Sequence, residues 1–186
     1  MPEQSVALSK LRIFSGGQSG ADIAALDWAI SHGVDHGGWC PKGRRSEDGP
    51  IEPHYQLNET PLASYLQRTE WNVRDSDATV VFTLNDSLDG GSRRTAQFAD
   101  KLSKPWLHFR SSVHPKFLTQ FLVRHNVTTL NVAGKQESSA PGIYRFVFDT
   151  LERAIVFPQR SDQDEQTRLC RRKEPLQDSK RALLSR

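Results

Sequence analysis

Gly16, Gly17 and Gly20, set among Ser15, Gln18, Ser19 and Asp22, form the stretch of this sequence best suited to hold an anion. Glycines let a backbone turn sharply and come close to a ligand. A helix starting just after such a turn aims its unpaired N–H groups and the positive end of its dipole into it. Ser15-Gly-Gly-Gln-Ser-Gly20 is neither G-x-G-x-x-G nor a Walker A loop, and it has no lysine. Taken alone it fits a phosphate-binding loop and a tight turn capped by Ser19 equally well. Asp22, in the first helical turn, complements the dipole and can pair with Ser19 as in a capping box; metal binding or acid–base work is the alternative.

Two more glycine-bearing turns have the same form. Gly90 and Gly91 lead into Ser92, Arg93, Arg94 and Thr95, where the hydroxyls of Ser92 and Thr95 suit a phosphate or a helix cap. Arg93 and Arg94 oppose the dipole of a first helical turn, a placement that fits better if one of them faces an anion. Gly134 leads through Ser138 and Ser139 to Pro141-Gly142. The segment 37–55 is punctuated by Gly and Pro and is long for a plain connection. Its Lys42, Arg44 and Arg45 are expected to reach over whatever the first loop binds; the plainer reading is a solvated charged loop. Cys40 could be a nucleophile or ligand, but a lone cysteine in a packed loop more often packs. The histidines have no metal-ligand spacing, so no metal is expected.

The elements that must position these residues alternate. A strand over 11–14 precedes a helix over 21–31, with Ala25, Leu26, Ala29 and Ile30 on one face. A short strand is expected over 34–39. Thr60 as N-cap and Pro61 at the first helical position predict a helix to about Arg74, with Leu62, Tyr65, Leu66 and Thr69 on one face. The apolar run 78–84 predicts a central parallel strand buried on both faces. A helix to about Leu102, a strand over 105–109 and a helix over 115–125 follow, the last with Phe117, Leu118, Phe121 and Leu122 inward. A strand over 127–132 and a helix from Pro141 to about Ile155 complete the series. This order predicts an α/β, Rossmann-like doubly wound fold: a mainly parallel sheet with helices on both faces. Such sheets bind ligands beyond the carboxyl ends of their strands, and all three glycine turns fall on that edge. Together they predict a composite crevice for an anionic, nucleotide-sized ligand. Glu70, Asp75 and Asp77 crowd a helix C-terminus, which the dipole disfavours, so specific partners are expected for them.

The 186 residues suffice for one domain, placed at 11–157, after an N-terminal extension 1–10. From 158 to 186 the chain turns polar and charged and is expected to be a disordered or loosely helical tail. A net charge of +3 with no basic stripe interleaved with aromatics argues against nucleic acid as a partner. Two distant cysteines, Cys40 and Cys170, make no disulfide framework. With no signal-peptide core and no membrane-length apolar run, the expectation is a soluble cytoplasmic protein.

Several segments, in order and at ordinary spacing across about 11–156, resemble the putative molybdenum cofactor carrier family. They are Ser15-Gly-Gly-Gln-Ser-Gly-Ala-Asp22, Gly37-Gly-Trp-Cys-Pro-Lys-Gly-Arg-Arg45, Glu47-Asp-Gly-Pro50 and Gln67-Arg-Thr-Glu-Trp-Asn-Val-Arg-Asp-Ser-Asp-Ala78. Gly90-Gly-Ser92 with Thr95, Leu130-Asn-Val-Ala-Gly134 and Ala140-Pro-Gly-Ile-Tyr144 continue the series. That family belongs to a wider Rossmann-like group that includes the lysine-decarboxylase-like, cytokinin-activating phosphoribohydrolases. The resemblance implies a carrier that binds molybdenum cofactor (molybdopterin), a pterin with a phosphate tail. It also implies a homodimer or homotetramer, with a molybdoenzyme as acceptor.

The fold relatives imply instead a nucleoside-monophosphate N-glycosidic hydrolase, in which an arginine lies shortly before the central strand; Arg68 sits there. Their next turn is Pro-Gly-Gly-x-Gly-Thr followed by catalytic glutamates. Here it is Asp89-Gly-Gly-Ser-Arg-Arg-Thr95, with Gln97 near the expected glutamate. Cleaving a glycosidic bond needs a carboxylate for proton transfer or for the oxocarbenium-like charge. The expectation is therefore binding without turnover, with Gly16, Gly17, Gln18, Ser19, Gly20, Gly90, Gly91, Ser92, Thr95 and Gly134 around the phosphate and Lys42, Arg44 and Arg45 neutralising it. The hydrolase alternative uses Arg68 with Asp22 or Glu70. A sensor module reading a nucleotide-like signal is the third possibility.

Overall fold

Backbone pairing joins segments far apart in the sequence, as a parallel sheet requires. A computed structural model describes residues 10–155; the expected tail 158–186, and all but Lys10 of the extension 1–10, lie outside the described residues. In chain order the elements are β1 (Arg12–Phe14), α1 (Ala21–Ser31), β2 (Asp35–Gly37), β3 (Trp39–Cys40), β4 (Arg45–Ser46), β5 (Gly49–Pro50) and β6 (Asn58–Glu59). Next come α2 (Tyr65–Arg74), β7 (Ala78–Thr83), α3 (Gly90–Lys101), β8 (Trp106–Arg110), α4 (Lys116–Arg124), β9 (Thr129–Gly134) and α5 (Ile143–Ala154).

The central sheet has five strands in the order β2-β1-β9-β7-β8, every neighbouring pair parallel. Right-handed crossovers decide where the helices go. The chain moves one way from β1 to β2 and the opposite way from β7 to β8, so α1 and α3 cover opposite faces. The packing agrees: α1 lies against α5 and α5 against α4, while α2 lies against α3. Counted from β7, the strands run β7, β8, β9, β1, β2, and their spatial order becomes 2-1-3-4-5, that of flavodoxin-like sheets. The switch point of that order falls between β7 and β9.

All six residues of β7 are buried, as the unbroken apolar run predicts. The two faces differ in chemistry. Phe82 points towards α5, where it meets Phe109 at 5.3 Å and Phe146 at 5.8 Å between ring centroids. On the other face Thr79 accepts a hydrogen bond from Asn131 at 3.2 Å, and the buried Ser92 and Thr95 of α3 add hydroxyls.

The strand expected over 34–39 divides into β2 and β3 at Gly38, whose φ of 126° and contact with Ser15 leave no room for a side chain. The helix expected from Thr60 starts later, capped by Ser64, whose hydroxyl accepts from the Gln67 amide. Its face is also different. Leu62, Tyr65 and Leu66 are 59%, 48% and 50% exposed, while Asn72 and Val73 are buried. Asn72 decides this rotation, because its amide pairs like a strand with Trp39, accepting from the Trp39 N–H at 2.8 Å and donating to its carbonyl at 2.9 Å. Phe117 is likewise 48% exposed rather than inward; Leu118 and Leu122 carry that contact.

The three carboxylates before the central strand do have specific partners. Glu70 pairs with Lys101, and Asp75 with Arg74 and the Trp39 indole. Asp77 accepts from the Thr128 hydroxyl and amide and from the Thr129 amide at 2.8–2.9 Å, tying the start of β7 to that of β9. Burial alone would raise the Asp77 carboxyl, but these donors and Lys104 outweigh it and hold it below the usual range. Its stabilising contribution is therefore complete above the unfolded value, about 3.9, and is lost as pH falls through the lower folded value. Asp77→Ala is expected to cost about 1–2 kcal/mol at neutral pH, discounted for exposure, and to flatten the acid limb of a urea-midpoint against pH curve.

Among the described residues no helix is long and apolar enough to cross a membrane.

Candidate functional site

The loop that turns from β1 into α1 is buried throughout, from Ser15 to Gly20. Gly20 is the N-cap of α1 at φ 73°, ψ −119°, a region closed to residues with a Cβ, and no side chain caps the helix. A Cβ there would lie 2.6 Å from both the Glu137 nitrogen and the Lys135 oxygen. The loop after β9 thus packs directly on the head of α1, and the Ala21 N–H donates to the Lys135 carbonyl at 3.1 Å. Gly134 serves the same close approach, since a Cβ on it would meet the Ala21 Cβ at 2.6 Å.

Ser19 neither caps α1 nor pairs with Asp22. Its hydroxyl donates to Glu47 and accepts from the Glu137 N–H at 3.2 Å. The Gln18 carboxamide, also buried, donates to the Arg45 carbonyl at 2.8 Å and accepts from Gln136 at 3.3 Å. These bonds fasten β4–β5 over the loop.

Asp22 is 4% exposed and takes two donors on one oxygen, the Gln18 N–H at 3.2 Å and the Arg68 guanidinium at 3.0 Å. Burial pushes the Asp22 carboxyl up, while Arg68 and the Gln18 amide oppose that shift. The Arg68 guanidinium lies directly over Gly16, where any Cβ would collide with it. Arg68 has donors to spare: its Nε is buried and has no partner among the described residues.

On the same carboxyl edge, Gly90 and Gly91 open α3 behind the N-cap Asp89. A Cβ at either would meet nothing, so the first turn of α3 is open backbone. The Asp89 side chain receives the Lys135 ammonium and the Ser87 hydroxyl, which hold it below the usual carboxylate range. Lys135–Asp89 bridges the loops after β9 and β7, the two sides of the switch point. Ser92 Oγ is buried without a partner among the described residues, whereas Thr95 Oγ1 donates to the Gly91 carbonyl at 3.0 Å inside its own helix.

The basic residues expected over the loop behave differently. Arg44, at φ 50°, turns into its own segment and donates to the carbonyls of Ile51, Glu52, Tyr55 and Leu57 at 2.8–3.1 Å. It satisfies four carbonyls that the irregular backbone leaves over and is no free cation. Arg45 contributes its carbonyl, and its side chain is exposed; Lys42 is exposed, and its N–H donates to Leu62. Asp27, accepting from Tyr55 and Tyr144 at 2.7 Å each, anchors the same segment to α1 and α5. Burial and that carboxylate hold both phenols well above their ordinary range.

Glu70, on the Lys101 side of α2, is not brought to Arg68; Asp22 is. Gln97 is exposed on α3, and Cys40 is buried, its thiol pushed up by burial. Among the described residues no group of three or more His, Cys, Asp or Glu could hold a metal. Lys135, Asp89 and Glu47 were not legible as site residues, although Lys135 follows directly on the last glycine turn. A separate groove of about 560 Å³ lies between the β8–α4 loop, at 111–115, and α5, lined by Arg145, Phe146 and Asp149.

No curated protein matches the chain. The crystal structure of a putative molybdenum carrier protein from Syntrophus aciditrophicus SB is similar, with a TM-score of 0.75 and 41% sequence identity over 78% of this chain and 94% of that one. That likeness covers fold and sequence together. Residues 13–155 match the circularly permutated YpsA SLOG family. With that match spanning most of its length, this chain belongs to the circularly permutated YpsA SLOG family.

Proposed function

We propose that the crevice between the 15–20 loop and the head of α3 binds a phosphate-bearing ligand and holds it without turnover. The observation that carries this reading is a set of buried donors on one sheet edge with no partner among the described residues: Arg68 Nε, whose guanidinium lies over Gly16, and Ser92 Oγ, in the first turn of α3, with Arg110 Nε at the end of β8 as the third. Buried polar atoms are nearly always satisfied, so two such donors beside glycine-rich backbone suit an incoming acceptor. A guanidinium, a hydroxyl and open helix N–H groups are the donor set of a phosphate site. Gly16, Gly17, Gln18, Ser19 and Gly20 form one wall, Gly90, Gly91, Ser92 and Thr95 the other, and Arg68 and Lys135 supply charge. Lys42 and Arg45 stand at the rim.

Molybdenum cofactor is the ligand we propose; the similar protein's name, a putative molybdenum carrier, agrees with it at the level of the metal. The donor set fits its phosphate; the described residues offer no cluster to grip a metal, so the pterin would bring its own. In this reading the protein is a cytoplasmic homodimer or homotetramer that passes the cofactor to a molybdoenzyme. The exposed Leu62, Tyr65 and Leu66 suit such a protein contact. Mass spectrometry of ligand released from native protein, with the fluorescence of oxidised pterin, tests it. A phosphorylated pterin is expected; a co-purified nucleotide without pterin would overturn the choice of ligand.

One observation favours the hydrolase. Asp22, a buried carboxyl with a raised pKa, touches Arg68 as that chemistry would require. Incubation with AMP separates the two readings, since steady release of free adenine would establish turnover and sink the carrier.

A further inference from the structure

Glu47 is a carboxylate without a counter-cation. Among the described residues it makes no ion pair, and it is held by two hydroxyls, Ser19 at the head of α1 and Ser138 at 2.5 Å on the loop to α5. The Ser138 hydroxyl first, then that of Ser19, hold its carboxyl below the ordinary carboxylate range. The cations nearby are engaged elsewhere, Arg68 with Asp22 and Lys135 with Asp89. Glu137 faces away, capping α5 through the Gly142 and Tyr144 amides at 2.6 and 3.0 Å. Glu47 therefore sits on donors that an external anion would use.

It also sits at the tip of a small hairpin. β4 and β5 have two residues each, paired Arg45 to Pro50 and Ser46 to Gly49, with Glu47 and Asp48 as the turn. A hairpin that short does not hold its place alone. Its links to the crevice are the Gln18–Arg45 bond and the two hydroxyls on Glu47. Breaking the Glu47 links leaves the Gln18–Arg45 bond at the base as the remaining link, and the tip keeps only its internal Ser46 to Gly49 bond.

We propose that Glu47 is a displaceable internal anion that latches β4–β5 over the 15–20 loop. A phosphate group entering the crevice takes over the hydroxyls of Ser19 and Ser138, sends the Glu47 carboxylate into solvent and frees the tip of the hairpin. The crevice itself is the phosphate site proposed above, on which this inference rests. Ligand entry and loop opening are then one event, and the hairpin reports occupancy to whatever meets that surface.

The test uses inorganic pyrophosphate as probe, calorimetry for affinity, and hydrogen exchange at 44–50 for the hairpin, on wild type and Glu47→Gln. Removing a like charge next to the bound anion is expected to tighten pyrophosphate binding about three- to ten-fold. Exchange at 44–50 is expected to rise in the free variant, and in wild type on adding pyrophosphate. Equal or weaker binding by Glu47→Gln, with wild type still binding, overturns the latch and leaves the crevice standing. Slower wild-type exchange on adding pyrophosphate also overturns it, because the hairpin would then be a lid that closes. Binding by neither protein overturns latch and crevice together.

Discussion

Arg68→Ala is expected to abolish measurable pyrophosphate binding and to lower folding stability by about 3–5 kcal/mol, the cost of stranding a buried charge. Both effects follow from one geometry. The Arg68 and Asp22 side chains are only 14% and 5% exposed, so Asp22 loses its cation where water cannot replace it. Asp22 would keep the Gln18 N–H as a donor but no cation. A double variant separates the roles. Asp22→Asn with Arg68→Met removes both charges and should recover part of the stability, because a neutral buried pair strands nothing. It should recover no binding, because the guanidinium over Gly16 is gone. Urea denaturation and calorimetry on the same samples read the two quantities. Stability and binding recovering together would mean that Arg68 merely shapes the loop.

Gly20→Ala is the second large effect. The backbone there is at φ 73°, ψ −119°, where an L side chain is strained by about 1–3 kcal/mol. The added methyl would also stand 2.6 Å from two backbone atoms of the following loop, and overpacking against atoms that cannot rotate away costs about 1–3 kcal/mol more. A loss of about 3–5 kcal/mol is expected from the two together. Gly91→Ala is the control. It too is a site glycine, but the added methyl meets nothing and its φ is not positive. In the first turn of a helix alanine should stabilise by up to about 1 kcal/mol. Thermal melts of the two variants should therefore move in opposite directions.

The difference between those glycines shows what the sequence can and cannot convey. All three turns lie on the carboxyl edge because strand and helix periods are local properties, and every strand of the central sheet was visible in them. The face of α2 was not. Leu62, Tyr65 and Leu66 have helical spacing, but Asn72 locks onto Trp39 from 33 residues away and turns that face outward. Arg44 was misread for a related reason. A basic residue in a glycine-rich loop suits a ligand or four stray carbonyls equally, and only the fold of 51–57 decides between them. Arg68 and Asp22, 46 residues apart, were each legible as chemistry, but not as one ion pair. Glu47 lay in a familiar motif, Glu47-Asp-Gly-Pro50, yet its hydroxyl partners come from two other loops.

Where a phosphate lands on this molecule is the most direct test of the central claim. Amide resonances of nitrogen-15-labelled protein, followed during titration with pyrophosphate, locate the site residue by residue. Saturable shifts are expected at Gly16, Gly17, Ser19 and Gly20 and at Gly90, Gly91 and Ser92, with smaller ones at Lys135. Shifts confined to the groove at 111–115 and Arg145, or no shift at any concentration, would contradict the claim.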